Sequence, residues 1–504
     1  MKKWFNESIL SVHRLLRFHC DMACAKTFCV AINSSWKFGF ERRPKKRRVT
    51  NVERWIEAND FPSITHHSSL ITHHFMKRSP LLVIFITVFI DLVGFGIVIP
   101  VLPFYVEGTK FNAGPHVVGL LFTSYSVMQL LFTPILGRLS DKYGRRPILF
   151  LSLLGTSLGF FILGFATTLW MLFAGRIIDG ITGGNISTAQ AYIADVTTEE
   201  NRARGMGLIG AAFGLGFVFG PAIGGVLSRW DIHLGTLHIP GISVPLIFAG
   251  CLALLNAILL YFVLPETVTP EHPARASAAT ARWSQLFKAL RQSRLAFVLG
   301  IYFLFITAFS IMTSSFGLFT LFRFGFDAHD TGWIFAFVGV IGAIVQGGLI
   351  GRLVKLFGEL PLVITGALLF ALSLLIIPLT GPHTGTLALL GVGAAFAVGN
   401  GLATPSLNAL ASKSVGAGEQ GGVLGVTQSV ASLARAVGPL IAAALIYSAV
   451  ATLGQDGKPH NMSDHSVALT FRAAAAIMFV AFLLAVYFTR AHAAEYRDAE
   501  AATA

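Results

Sequence analysis

The sequence predicts an all-α membrane protein: twelve transmembrane helices in two six-helix pseudo-repeats. Three observations predict it. Only 12% of the 504 residues are charged, while 54% are hydrophobic; soluble domains carry roughly 25% charged residues, so a soluble body of this size could not be covered. From residue 80 onward the chain is a succession of uncharged runs, each near the roughly 20 apolar residues that a bilayer-crossing helix needs. Finally, two short motifs recur at a nearly constant offset along the chain.

The spans fall at 81–105, 116–137, 146–167, 169–194, 203–228, 243–264, 296–322, 331–351, 361–380, 385–412, 420–448 and 467–489. Residues 296–322 contain no Asp, Glu, Lys or Arg, and 360–412 break only at Gly381-Pro382-His383. In lipid every backbone N–H and C=O needs an internal partner, so such runs must be helices. A membrane barrel would show alternating segments of about 10 residues instead.

The connecting loops set the orientation. Loops 2–3, 4–5, 6–7, 8–9 and 10–11 hold fourteen Lys and Arg residues, whereas the opposite loops hold only Lys110, Arg229, Arg323 and Lys458. By the positive-inside rule both termini lie in the cytoplasm of an inner-membrane protein. The charged stretch 265–295 is the cytoplasmic linker between the halves 79–264 and 296–490, and 491–504 is a short tail.

The halves resemble each other. Gly137-Arg138-Leu139 followed by Gly144 recurs as Gly351-Arg352-Leu353 followed by Gly358, an offset of 214. Gly220-Pro221 recurs as Gly438-Pro439, an offset of 218. Duplicated halves with a central site between them are the architecture of an alternating-access carrier.

The net charge of +13 at first points to nucleic acid as a partner. Residues 1–78, however, hold fifteen basic and six acidic residues, so +9 of the +13 belongs to this extension. Its Arg42-Arg43-Pro44-Lys45-Lys46-Arg47-Arg48 cluster reads as a disordered arm on anionic lipid, or the extension is a gene-start artefact with Met76 as the natural start; nucleic acid is not expected. Its three cysteines lack a zinc-finger spacing, and no metal or cofactor is expected. The body lacks a G-x-x-x-x-G-K-[ST] phosphate loop, so ATP is not the energy source. Gly155-Thr156-Ser157-Leu158-Gly159 mimics a hydrolase elbow but lies inside span 3, without the strand-to-helix turn that motif needs. An enzyme is not expected.

The strongest local signal is Gly137-Arg138-Leu139-Ser140-Asp141-Lys142-Tyr143-Gly144-Arg145-Arg146-Pro147, between spans 2 and 3. Its two glycines permit a tight turn and close helix approach. Asp141 sits among Arg138, Lys142, Arg145 and Arg146, a set able to form a charge-assisted network at the cytoplasmic mouth. Gly137, Asp141, Gly144, Arg145 and Arg146 are thus expected to form a gate.

That string resembles the loop 2–3 signature of the major facilitator superfamily, and 351–358 is a degenerate copy with Lys355 in place of Asp141. Span 1, from Asp91 to Tyr105, and span 4, from Gly175-Arg176-Ile177-Ile178-Asp179-Gly180 to Ala191-Tyr192-Ile193-Ala194-Asp195, are similar to the tetracycline-efflux type of twelve-helix drug/proton antiporter. Two acids of that type are missing: Gly159 follows Leu158 in span 3, and 361–380 has no acid. The resemblance therefore implies an antiporter without implying metal–tetracycline recognition. In span 5, Gly216, Gly220 and Gly224 lie four apart on one face, where a neighbouring helix can approach closely, and Pro221 removes one backbone hydrogen bond. This Gly-Pro placement resembles the motif associated with antiporters of the superfamily.

Charges inside the membrane are expensive and mark function. Asp91, alone in mid-span 1, is the expected proton-coupling site. Arg176 and Asp179, three apart on one helix face, are its expected assistants. Gln129, Phe316, Gln346 and Arg435 are expected to line the substrate cavity. The expectation is a monomeric efflux antiporter in the lipid bilayer, exchanging a small organic molecule for protons. A nutrient importer of the same fold and a transport-inactive membrane sensor are the alternatives.

Overall fold

The computed structural model describes residues 80–501 except 109–110, 112, 236, 268–292 and 416–419. The extension 1–78, with its basic cluster and cysteines, and most of the linker lie outside the described residues.

The N-terminal half comprises α1 (Pro80–Glu107), α2 (Pro115–Tyr143), α3 (Arg145–Gly164), α4 (Leu169–Thr182), α5 (Asn185–Val196), α6 (Glu199–Leu227) and α7 (Val244–Val263). The C-terminal half comprises α8 (Ser293–Phe324), α9 (Ala328–Ile344), α10 (Ile350–Phe357), α11 (Glu359–Ile376), α12 (Gly385–Lys413), α13 (Gln420–Ile446) and α14 (Asp464–Ala501). Two small antiparallel hairpins, Ile232–Leu234 with Leu237–Ile239 and Thr452–Leu453 with Pro459–His460, close loops 5–6 and 11–12. Among the described residues, eleven helices are long and apolar enough to cross a bilayer.

The remaining expected span, 169–194, is not one helix. It is the pair α4 and α5, broken at Gly183-Gly184, and each piece is too short to cross alone. Broken helices at membrane depth are tolerated where they are buried in protein or face a cavity. Between α9 and α10, residues Val345–Leu349 form a π-turn, so the eighth span is continuous but locally widened.

The loop 2–3 signature also differs from expectation. Gly137 to Tyr143 continue α2 as helix, because a polar helix turn beyond the lipid still satisfies its own backbone. Gly137 is buried within that helix rather than in a turn. Gly144 alone makes the turn, at φ +106°, a conformation that a Cβ disfavours. Its counterpart in the repeat, Gly358, ends α10 at φ +75°.

The packing follows the repeat. Within the N-terminal half α1 packs on α6 and α3 on α7, and within the C-terminal half their repeat images α8 on α13 and α11 on α14. Across the seam α2 meets α13 and α6 meets α9. Spans 2 and 8 are repeat partners, as are 5 and 11, so these two contacts are images of each other. At the first, a Cβ on Gly119 would overlap the Pro439 carbonyl oxygen; at the second, a Cβ on Gly332 would sit 2.6 Å from the Pro221 carbonyl oxygen.

Candidate functional site

Four charged side chains occupy the middle of the bundle. Asp91 of α1 accepts a hydrogen bond at Oδ1 from Asn185 Nδ2 at 2.9 Å. Asn185 is the first residue of α5, so the Gly183-Gly184 break is what turns this amide toward Asp91. Arg176 and Asp179 pair at 2.9 Å within α4, fully and nearly fully buried. The Arg176 guanidinium also lies 4.2 Å from the centre of the Tyr125 ring, a cation–π arrangement. Thr156 of α3 faces the Asp179 carboxyl.

Gln129 stands one turn from Tyr125 on α2. Its Nε2 donates to Tyr125 Oη at 3.0 Å and to the Gly183 carbonyl at 2.9 Å. Gln129 therefore ties α2 to the α4–α5 break, rather than lining open space. Arg435 of α13 donates through Nη2 to Ser432 Oγ at 3.2 Å and makes no ion pair among the described residues. Tyr125 lies within electrostatic reach of Asp91, Asp179, Arg176 and Arg435 alike.

Two expected lining residues sit elsewhere. Phe316 is buried inside the C-terminal half, its ring centre 5.1 Å from that of Phe335 and 5.9 Å from that of Phe319. It bounds a small apolar pocket with Met312, Ile334 and Phe396, all of the C-terminal half. Gln346 sits half-exposed on the π-turn, near Gly401 of α12. A small open cleft lined mostly by polar residues instead lies between α2, α5 and α13, bounded by Thr133, Ser187, Gln190, Gln428, Ser429 and Ser432 among others.

At the loop 2–3 end, Arg145 organises the charges. It pairs with Asp141 at 2.5 Å, with Asp195 at 3.0 Å and donates to Ser140 Oγ at 2.7 Å. The backbone N–H groups of Arg145 and Arg146 donate to Glu266 at 2.9 and 3.0 Å. These are first-turn donors of α3, and a carboxylate there is favoured by the helix dipole. Arg146 reaches the Tyr261 carbonyl and ring. Arg138 is exposed and forms no pair with Asp141. In the second half the equivalent brace is Glu359–Lys413. Glu359 and Lys413 lie 214 and 218 residues beyond Arg145 and Asp195; the repeat preserves the bridge and reverses its charges.

The Gly216, Gly220 and Gly224 face of α6 packs closely on α1. A Cβ on Gly220 would meet Gly96 Cα at 2.6 Å, and Gly216 and Gly224 face Leu92 and Ile97 of the same helix. At the end opposite loop 2–3, polar ties cross between the halves. Arg229 pairs with Asp327 at 2.8 Å and Asp330 at 3.1 Å. His460 Nδ1 lies 3.2 Å from Glu107 and its Nε2 3.0 Å from Asp456. Burial and these carboxylates act oppositely on His460; the Glu107 hydrogen bond is the largest influence and raises its pKa above the usual 6.5. Asp327 is half-buried, which raises its pKa, but Asp330 N–H and Arg229 outweigh burial and the net shift is downward. Thr123 donates to the Ala436 carbonyl at 3.2 Å, nearer the middle of the seam.

Asn185, Tyr125, Glu266 and the His460–Glu107 tie escape sequence reasoning. Asn185 carries a local signal, the preceding Gly183-Gly184; Tyr125 carries one in its four-residue spacing from Gln129. The other two depend on contacts more than a hundred residues apart.

Two repeated helical halves, with charges buried mid-bundle and polar ties at the ends, define a membrane transporter. The comparisons specify it: residues 84–439 and 349–503 match the Major Facilitator Superfamily, and the chain belongs to that family. It is 34% identical to a class H tetracycline resistance protein of Pasteurella multocida over 74% of this chain and 90% of the relative. It is 29% identical to multidrug resistance protein 2 of Bacillus subtilis (strain 168), over 72% and 88%. Among solved structures it resembles the human organic anion transporter MFSD10 (TETRAN), with TM-score 0.60 and 25% identity, over 80% of this chain and 98% of that one.

Proposed function

We propose that this transporter exports a small organic compound from the cytoplasm in exchange for protons, acting as a monomer in the inner membrane with both termini cytoplasmic. The excess of Lys and Arg in loops 2–3, 4–5, 6–7, 8–9 and 10–11 supports a cytoplasmic loop 2–3 end by the positive-inside rule. The tetracycline and multidrug resistance relatives support the direction of transport.

The observation that carries proton exchange is the partner of Asp91. The carboxyl is held by the uncharged Asn185 amide, while the nearby Arg176 is committed to Asp179. An ionised carboxylate without a cation is costly at membrane depth, so a proton or a substrate cation is its natural occupant. Competition between those occupants is what couples their opposite movements. Arg176 and Asp179 hold the adjoining wall through Tyr125. The polar cleft opens on the cytoplasmic half, while the Arg229 and His460 ties hold the outer end. Gly137, Asp141, Gly144, Arg145 and Arg146, with Asp195 and Glu266, form the brace whose release accompanies closure of the cytoplasmic mouth. The close α1–α6 contact at Gly220 and the proline beside it give the helix pair that must move as a unit.

The test is a drug-susceptibility panel in an efflux-deficient host, with and without expression. Raised tolerance to one or more compounds, with lowered intracellular accumulation, is expected. Raised accumulation on expression would mean import and contradict the proposal. Removing residues 1–75 is expected to leave flux unchanged, whereas a sensor with that arm as its output would lose its signal.

A further inference from the structure

We infer that the transporter has a second proton site, at the end opposite loop 2–3, in which a proton on His460 latches the two halves together and so sets which way the carrier faces. The inference rests on the orientation proposed above only for the side from which this proton comes, the outside of the cell.

The site is built from both halves. His460 belongs to the loop 11–12 hairpin of the C-terminal half, where it pairs with Thr452. Glu107 is the last residue of α1 in the N-terminal half. His460 Nδ1 lies 3.2 Å from Glu107 Oε2, and its Nε2 lies 3.0 Å from Oδ1 of Asp456, on the same hairpin. All three side chains are largely withdrawn from solvent, with 6% exposure for His460, 8% for Glu107 and 15% for Asp456.

This geometry calls for the charged ring. A neutral imidazole has one N–H and one lone pair, whereas the imidazolium donates from both nitrogens. A carboxylate oxygen stands at each nitrogen here, so the neutral ring turns a lone pair toward a negative charge. Loss of the proton leaves Glu107 facing either that lone pair or an uncharged donor, and charge-assisted hydrogen bonds are roughly twice as strong as neutral ones. The other Glu107 oxygen, Oε1, is buried and has no hydrogen-bond partner among the described residues. A buried acceptor deprived of its donor is costly, and separation of the halves at this end, which admits water to Glu107, relieves that cost.

Linkage gives the direction. The closed end holds the His460 proton more tightly than the open end, where Glu107 is withdrawn, so the proton favours closure by the same factor. The closed-state pKa is raised above the usual 6.5, chiefly by Glu107. The bias toward closure is complete below 6.5 and fades as pH rises through the higher value. Each closure takes up the proton and each opening returns it to the same side, so the latch adds nothing to the exchange stoichiometry. Other elements bring few charges to the ring. From α8 the Phe322 ring meets it edge-on at 6.2 Å, and the adjacent Arg323 pairs with Asp464 of α14. From α2, His116 packs edge-on against Tyr447. In the companion tie Arg229 keeps its charge at all relevant pH values, and His329 stands 3.2 Å from Asp330.

The test reads the opening of this end. Spin labels are placed at Trp170→Cys and Leu387→Cys, exposed positions at the corresponding ends of spans 4 and 10 on opposite halves. The full chain carries Asp91→Asn and Ser in place of its four native cysteines, and is reconstituted in nanodiscs. Distance distributions are recorded by pulsed electron–electron resonance from pH 6 to pH 9. Both ends see the same pH, so the result depends neither on Asp91 nor on the direction of transport. The ratio of long to short distances is expected to rise about threefold or more across that range. His460→Gln is expected to flatten the response and His329→Gln to leave it intact. An unchanged ratio in the parent, a ratio that rises as pH falls, the full response in His460→Gln, or its loss only in His329→Gln would each overturn the latch. Should His460→Gln fail to fold, Glu107→Gln removes the acceptor of the other half and must flatten the response equally. Failure of the export reading would show in substrate flux and leave this response in place, so the two are separable.

Discussion

The Asn185 amide donates to the Asp91 carboxylate at 2.9 Å, across from the helix break that puts it there. This bond joins the proposed proton site to a backbone discontinuity, so the site depends on α4 and α5 being two helices.

Asn185→Ala removes the amide while leaving Asp91 in place. A hydrogen bond to a charged group is worth about 1.5–3 kcal/mol, so coupled transport is expected to slow by about tenfold or more. Initial rates in vesicles, normalised to folded protein, measure it. An unchanged rate would show that Asn185 does not serve the proton site.

Gly220→Leu forces a side chain into the α1 backbone, where even a Cβ would sit 2.6 Å from Gly96 Cα. The helix pair cannot close around it, and the monodisperse gel-filtration peak in detergent is expected to be lost. Gly214→Leu is the control: a Cβ there meets nothing within 4 Å, so its peak should match the wild type. Identical behaviour of the two variants would refute the close-packing account.

Arg145→Ala strands Asp141, Asp195 and the Ser140 hydroxyl together. Removing one partner of a buried pair costs about 3–5 kcal/mol; partial exposure of Asp195 places the loss at the lower end. Arg138→Ala removes an exposed residue with no such partners, and about ±0.5 kcal/mol is typical there. Thermal unfolding in detergent separates the two, and equal melting temperatures would contradict the brace.

The His460 tie gives the outer end a pH dependence. Its pKa is raised in the folded protein, chiefly by Glu107, so the folded state binds the proton more tightly than the unfolded chain. The stabilisation is complete below the ordinary value of 6.5 and fades as pH rises through the higher folded value. The difference in melting temperature between wild type and His460→Gln should therefore shrink from pH 6 to pH 9. A difference that grows over that range would reverse the assigned sign.

Much of this was readable from composition and spacing. Apolar run length located the spans, and the Gly216, Gly220 and Gly224 periodicity located a packed helix face. Hydropathy ended span 2 at Gly137 because the next residues are polar, yet a helix persists to Tyr143 where lipid no longer matters. Hydropathy also fused α4 with α5, since a Gly-Gly break inside an apolar run changes backbone geometry but not polarity. Phe316 illustrates the same limit: an aromatic helix face can turn toward its own half or toward the seam, and spacing does not distinguish them. The charge-reversed bridge Glu359–Lys413 was hidden because the repeat conserves position rather than residue type.

The most direct test of proton exchange compares wild type with Asp91→Asn in proteoliposomes, recording substrate and proton movement together under an imposed pH gradient. The account predicts gradient-driven substrate flux with opposite proton movement in the wild type, and loss of both responses in folded Asp91→Asn. Full gradient-driven exchange in Asp91→Asn would contradict it.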